Sequence, residues 1–571
     1  MNKRNHFNKF LGLIVLAVAL SSCQKDKFDM TTDNRMITDN MKNSNVRIIN
    51  LGGFNQVVAN GDSVTSFYIV HPQTPQASFS PGTQYFPKNG RLGSTWTVPQ
   101  QLFDNQEKVE LKILDRNYYK QAERDEIIQA ENDYHNPVDY YLMVASNWQE
   151  GQPQSVKVPR GITAPAKPDH FKIRILNLSA RIKGNFANSS GSMEELHGNI
   201  TLAYADGTAV HTSTTSITAA NPVSEYIEVP YGTYQFKILT DDGRQIPSAQ
   251  YEPMGYAYSM IDPPTSTVAT SLRTTSNLVF APLMTYEPGG IYTIVVTPQR
   301  FNYYISDIGE DAFLYQNSFS IINDNSTEVN MTYCRIQGVN AFNNDEVNFK
   351  VNGHTIGNQV SFGHASEYTA VVQGDYTIEA TDASGKVIAT THHVLRASMN
   401  YSFWLYPSSN GNAQILTVSN DLSGKNYIGA IDDATYGHFK YTFFSSLRFL
   451  NMSPDNSYIT FTKNNGQPMS HTVASNLQPA LPVYDKPYLI TTYPGSEYEI
   501  MVYRSAPDVI PGTWASDITP VSSEDIITRK ELYTNLNRAL PAQDIGVYTI
   551  ALIGRNNSSV PARIMILKHN K

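Results

Sequence analysis

Leu447-Arg448-Phe449-Leu450-Asn451-Met452 is a short stretch of alternating apolar and polar residues, with one arginine in the alternation and a polar residue at its end. Three further stretches read the same way: Val46-Arg47-Ile48-Ile49-Asn50-Leu51, Ile173-Arg174-Ile175-Leu176-Asn177-Leu178 and Cys334-Arg335-Ile336-Gln337-Gly338-Val339. An alternation of period two is the pattern of a strand with one buried face. Four copies of one strand in a chain of 571 residues predict four similar domains.

Each copy is followed by an alternating segment that closes on a hairpin signal. These are Val57 to Asn60-Gly61, Leu202 to Asp206-Gly207, Val347 to Asn352-Gly353, and Ile459 to Asn465-Gly466. Asn-Gly and Asp-Gly favour the positive φ angles of a tight turn. Arg335 to Gly353 and Arg448 to Gly466 are both 18 residues apart, which suggests a shared register. Further along, Ser224-Glu225-Tyr226 through Gly232-Thr233-Tyr234 aligns without gaps to Ser366-Glu367-Tyr368 through Gly374-Asp375-Tyr376. Ser496-Glu497-Tyr498 reads as the fourth copy, and the first is eroded around Val109 to Leu114. The units end on apolar strands at Tyr140–Val144, Ile291–Val296, Tyr401–Leu405 and Val547–Ile553.

Short strands at regular spacing, with no sustained helical period, predict an all-β protein of tandem antiparallel β-sandwich domains. The expected divisions are a leader at 1–22, a polar tether at 23–44, and sandwiches at 45–165, 166–311, 312–424 and 425–571. Two insertions, Tyr118 to Asn132 and Ser522 to Leu540, carry enough helix formers to predict short helical turns. The Arg strand, the Asn-Met-Ser-Pro-Asp turn at 451–455 and the Gly-bearing hairpins resemble the bacterial domain-of-unknown-function family 4397, in diverged tandem copies over most of residues 44–571. That resemblance implies exported immunoglobulin-like β-domains, and neither an activity nor catalytic residues.

The start of the chain points to export. Lys3, Arg4 and Lys9 precede an apolar run from Phe10 to Leu20 that is too short to span a bilayer. The run ends at Leu20-Ser21-Ser22-Cys23, which resembles the lipobox of bacterial lipoproteins and implies cleavage before Cys23 and acylation of that residue. An acylated Cys23 would be the partner of a membrane, the anchor strengthening with each chain added. The residue after it is Gln24, and the missing aspartate implies the outer membrane, with exposure at the cell surface suggested by the Gln-Lys-Asp tract at 24–26.

Composition removes several classes of function. A net charge of -8 without any basic cluster predicts no nucleic-acid partner. With Cys23 lipidated, Cys334 has no mate, so no disulfide framework is expected, and Cys334 is predicted to face a core as a small hydrophobe. No catalytic residues, cofactor or metal are assigned. Gly61-Asp62-Ser63 resembles the nucleophile block of one class of serine esterases, but the hairpin reading absorbs it; Asp62-Ser63-Val64 also resembles an O-glycosylation acceptor of exported bacterial proteins. His392 and His393 are neighbours in a predicted strand and point to opposite faces. Asp241-Asp242-Gly243 and Asn343 to Glu346 read as turns, and Glu310-Asp311 as a solvated linker pair. Among the aromatics, Trp404 is expected in a core, whereas Trp148 and Trp514 sit in loop-like settings and are the candidate glycan-stacking residues. The expected role is a non-enzymatic, structural or adhesive lipoprotein with a surface protein as partner. The alternative is a glycan-binding lipoprotein of a nutrient-uptake system.

Overall fold

The computed structural model describes residues 41–571 except 67–81, 88, 117–121, 144–153, 182–195, 247, 252–256, 260–280, 306–309, 343–344, 421, 423–444, 492–496, 531–542, 545 and 557. The described chain is almost wholly β, with helix confined to short 3-10 turns such as Gln100–Leu102, Thr212–Thr214 and Ser523–Ile526. Its sheets fall into four groups along the sequence, each with two main sheets packed on a common apolar core, and the second group has two further two-stranded sheets.

One sheet of every pair is built the same way. An opening strand (Asn43–Asn50, His170–Asn177, Tyr333–Asn340 or Ser445–Asn451) lies between an edge strand (Thr95–Pro99, Ile227–Pro230, Thr369–Val372 or Tyr488–Thr491) and a closing strand (Val138–Leu142, Ile291–Ile305, Asn400–Pro407 or Val547–Ile553). A last strand, Ser155–Pro159, Glu310–Asn323, Ala413–Asn420 or Arg563–Lys568, flanks the closing one. The opening and closing strands run parallel in all four, within sheets whose other pairings are antiparallel as expected. A parallel pair needs a long crossover, which the whole facing sheet supplies; alternation of side chains is the same in either direction, so the sequence carries no trace of it.

The asparagine that ends each opening strand is a structural pin. Asn50, Asn177, Asn340 and Asn451 are all buried, and each amide donates to two backbone carbonyls: Phe54 and Gly93, Gly198 and Ile217, Asp345 and Val360, Asn456 and Leu477. Turn carbonyls beside the core are thereby satisfied without water. These pins also correct the repeat alignment. Arg47, Arg174 and Arg448 lie three residues before their asparagines, and in the third sandwich that position is Gln337, not Arg335. Strand register agrees, because Thr293 lies opposite Arg174, Ser402 opposite Gln337 and Thr549 opposite Arg448. The common spacing of 18 residues is therefore coincidental. Gly338 falls where Ile48, Ile175 and Phe449 stand in the other copies; a Cβ there would come within 2.2 Å of the Phe349 ring, which crosses from the facing sheet to fill the space.

Other expectations need similar revision. Ala122–Glu131 is a strand paired with Lys108–Arg116, not a helical insertion, since Ile128 and Ala130 must both face the core. The boundary expected between residues 311 and 312 falls inside Glu310–Asn323, whose 14 residues pair along the closing strand of the second sandwich. Glu310 and Asp311 therefore lie in a strand and not in a linker. At the other end, Asn43 and Ser44, assigned to the tether, belong to the first opening strand, and Ser44 is buried.

The outward faces of the opening sheets are buried as well. Ile49, Leu51, Tyr141, Met143 and Val158 of the first sandwich pack on Leu176, Leu178, Val295 and Ile322 of the second. Val339, Phe362, Trp404 and Val418 of the third pack on Leu450, Met452, Ile553, Met565 and Leu567 of the fourth. At about 1.5–3 kcal/mol for each large apolar side chain buried, these contacts hold sandwiches one and two, and three and four, as face-to-face pairs.

Candidate functional site

Alternation puts the arginine of each opening strand on that outward face, inside the contact between sandwiches. Arg47 grips Asp139 with two bonds, Nε to Oδ1 at 3.0 Å and Nη2 to Oδ2 at 2.6 Å, and reaches Asp324 of the second sandwich at 2.8 Å and the Asn323 carbonyl. Arg160 adds a second cation to Asp139 at 3.1 Å. Asp324 also accepts from the Tyr226 hydroxyl at 2.8 Å and the Thr293 hydroxyl at 2.5 Å. Burial works against the Arg47 charge, but the two carboxylates outweigh it and hold its pKa above the usual value, while burial pushes Asp324 up.

Arg174 lies 4.5 Å over the Tyr226 ring and donates to Thr293 at 2.9 Å. Arg448 lies 4.5 Å over Tyr488 and donates to Asn420 at 2.9 Å and the Ser419 carbonyl at 2.8 Å. Tyr488, directly opposite Arg448 in the register, is thus the counterpart of Tyr226. Tyr498, the counterpart expected from its Ser-Glu-Tyr context, instead precedes a strand of the facing sheet.

The third sandwich departs from the pattern. With Gln337 in the arginine slot, His569 of the fourth sandwich enters: its Nε2 meets the Thr549 hydroxyl at 2.7 Å, and its Nδ1 meets the Tyr368 hydroxyl at 3.0 Å and Gln337 Nε2 at 3.3 Å. Arg335, two residues earlier on the same face, still stacks on Tyr368 at 4.4 Å but reaches towards the second sandwich. A Cβ at Gly232 would lie 2.3 Å from its Nη1, so glycine makes room for the guanidinium. Around these residues is a cavity of about 560 Å³ whose walls come from sandwiches two, three and four, including Tyr204, Tyr231, Arg335, Glu367, Lys568 and Asn570.

The residues singled out from sequence do not gather there. Cys23, Trp148 and Asn343-Asn344 lie outside the described residues. Trp514 ends the strand Val509–Trp514 and is 47% exposed, in the company of exposed Val509 and Ile510. Trp404 and Trp96 are buried. Asp62 and Ser63 form the return strand of a hairpin whose turn, Asn60-Gly61, has φ of 50° and 91°. Asp241-Asp242-Gly243 is likewise a hairpin turn. His392 is exposed and His393 turns the other way, 5.4 Å from the Tyr401 ring. Among the described residues no three His, Cys, Asp or Glu side chains are grouped as a metal site would need. Cys334 is fully buried in the third core, where desolvation pushes its thiol up to about 12. The junction itself joins side chains as far apart as Gln337 and His569, 232 residues, which no local motif announces.

Sheet pairing and cores define the class: an all-β protein of serial, immunoglobulin-like β-sandwiches. Within it, residues 334–427 match the family described as domain of unknown function (DUF4397), a span running from Cys334 in the third opening strand past the end of that sandwich. The resemblance read from the sequence stands for this unit. No curated protein matches the chain. Among solved structures the Bacillus anthracis TIE protein aligns over 88% of this chain and 66% of its own, so the chain spans just under two thirds of it, at 7% identity and a TM-score of 0.11, and no argument is built on that likeness.

Proposed function

We propose that the protein is a non-enzymatic lipoprotein of the cell envelope, held at the outer membrane through acylated Cys23, with a structural or adhesive role towards a surface protein. The observation that supports this reading is the burial of charged and apolar side chains between sandwiches. Arg47, Asp139 and Asp324 are sequestered in one contact, and Trp404 is fully buried in the other. Ion pairs of this kind cost stability unless their geometry is held, which makes hinging between paired sandwiches unfavourable and suits a stiff body that presents its loops. A screen of the full chain against surface proteins and glycans tests the proposal, with metabolic palmitate labelling of the wild type and of Cys23→Ser testing the anchor. Label lost in Cys23→Ser and capture by a protein partner support it; label unchanged by the substitution, or turnover of a substrate, refutes it.

Exposed Trp514 favours a second reading, a glycan-binding component of nutrient uptake, because an indole face at the surface is a platform for a sugar ring. Under that reading Trp514→Ala abolishes binding of a glycan identified in the same screen. Under the adhesive reading the substitution leaves protein capture intact.

A further inference from the structure

We propose that the cavity between sandwiches two, three and four binds a small carboxylate-bearing sugar. This goes beyond the adhesive reading and does not depend on it. Three residues that line the cavity each carry a buried nitrogen donor with no hydrogen-bond partner among the described residues: Arg335 Nη1, Lys568 Nζ and Asn570 Nδ2. Arg335 is 6% exposed and Asn570 4%. The orientation of the Asn570 amide is fixed, because its Oδ1 accepts the Val547 N–H at 2.9 Å, which makes the NH₂ group the unpartnered end. Lys568 is ion-paired with Asp544 at 4.0 Å, a separation beyond hydrogen-bond length, so its N–H donors remain unmade among the described residues.

Buried donors left unmade are costly, and native proteins seldom gather several in one place without an acceptor to meet them. The contrast with the other copies sharpens the point. In the common slot Arg47 spends its donors on Asp139, Asp324 and the Asn323 carbonyl, and Arg448 spends both terminal nitrogens on Asn420 and the Ser419 carbonyl, with Nε left without a partner among the described residues. Arg335, displaced two residues along its strand, stacks on the Tyr368 ring and leaves Nη1 without a hydrogen-bond partner among the described residues. Its displacement converts an interface arginine into a cavity arginine.

The two acids at the wall are already engaged. Glu367 meets Lys571 at 3.1 Å, and Asp206 accepts from the Thr208 N–H at 2.9 Å and its hydroxyl at 2.7 Å. What remains is a guanidinium, an ammonium and an amide, a donor set that matches a carboxylate, the guanidinium being the better geometric fit. Tyr204, Tyr231 and Tyr234 add ring surface, and the Tyr231 hydroxyl, without a partner among the described residues, suits a sugar, whereas that of Tyr234 already donates to the Pro230 carbonyl at 2.8 Å. The volume, about 560 Å³, falls within the range of small-molecule sites.

Calorimetric titration of the full chain with glucuronate and, in parallel, with glucose tests the assignment, since the two differ at the carboxylate. Saturable glucuronate binding is expected, with glucose at least about tenfold weaker, the loss of one charge-assisted bond. Arg335→Gln is expected to weaken glucuronate by about tenfold. Glu367→Gln, at a side chain 80% exposed, frees Lys571 and is expected to tighten binding a few-fold without disturbing the fold. Equal binding of both sugars, no binding of glucuronate, or binding indifferent to Glu367→Gln would overturn the proposal. The last readout stands even if Arg335→Gln fails to fold.

Discussion

His569 gives the junction of sandwiches three and four an acid-sensitive element whose size follows from its surroundings. It is 2% exposed, and burial first, then the charges of Arg448 and Arg335, lower its pKa to about 3. Its hydrogen bonds enforce the neutral ring. Tyr368 accepts from Asn420 at 2.9 Å and so offers its own proton to Nδ1, and the nearby Gln337 amide is also a donor, which leaves Nε2–H to serve Thr549. A proton on Nδ1 would set donor against donor. An unfolded histidine titrates near 6.5. With the folded pKa depressed, the unfolded chain binds the extra proton between about pH 6.5 and 3, so stability falls as the pH is lowered through that window. At about 1.4 kcal/mol per pH unit, the loss attributable to this one group is about 3 kcal/mol by pH 4. Urea midpoints between pH 7 and 4 for the wild type and for His569→Asn measure it. Asparagine is the residue that occupies the corresponding place in the third sandwich, Asn420, so the variant retains a short polar side chain there. The variant is expected to show an acid limb shallower by about 3 kcal/mol. Identical acid limbs, or an imidazole resonance of His569 that titrates near 6.5, would refute the reasoning.

Trp404→Ala removes the largest fully buried side chain among the described residues, which lies between sandwiches three and four, and is expected to cost about 3–5 kcal/mol, read as a lowered melting temperature of that pair. Asn451→Ala strips two hydrogen bonds from the carbonyls of Asn456 and Leu477 and is expected to cost about 2 kcal/mol in urea unfolding. Asp517→Asn, in the exposed pair with Arg504, is expected to stay within about 1 kcal/mol of the wild type by the same assay.

Much of the fold was legible because the strands keep period two and the turns carry Asn-Gly or Asp-Gly. The core position of Cys334 followed from the same alternation. What alternation cannot detect is a slip of two residues, which leaves every side chain on its face. Arg335 was therefore mistaken for the partner of Arg174 and Arg448, and only the asparagine pins and the register place Gln337 there. Ser496-Glu497-Tyr498 misled by local likeness, whereas Tyr488 occupies the stacking position without the motif. Helix formers in Ala122–Glu131 were overridden by pairing with Lys108–Arg116, and Glu310-Asp311 read as a linker pair because two neighbouring acids are more common in solvated linkers than at the start of a strand. The cavity was beyond reach from sequence. Its walls come from three sandwiches, and its signature is a departure from the repeat at Arg335 that becomes visible only once the repeat is correctly aligned.

The central claim, that the sandwiches meet through the outward faces of their opening sheets, is tested most directly by the coupling between Arg47 and Asp324, 277 residues apart. A double-mutant cycle with Arg47→Met and Asp324→Asn, read by urea unfolding of the full chain, isolates that contact. The structure predicts a coupling free energy of at least about 1.5 kcal/mol for a buried charge-assisted pair. Effects that add within about 0.5 kcal/mol would mean that the two residues do not meet in solution, and would contradict the face-to-face pairing of the first two sandwiches.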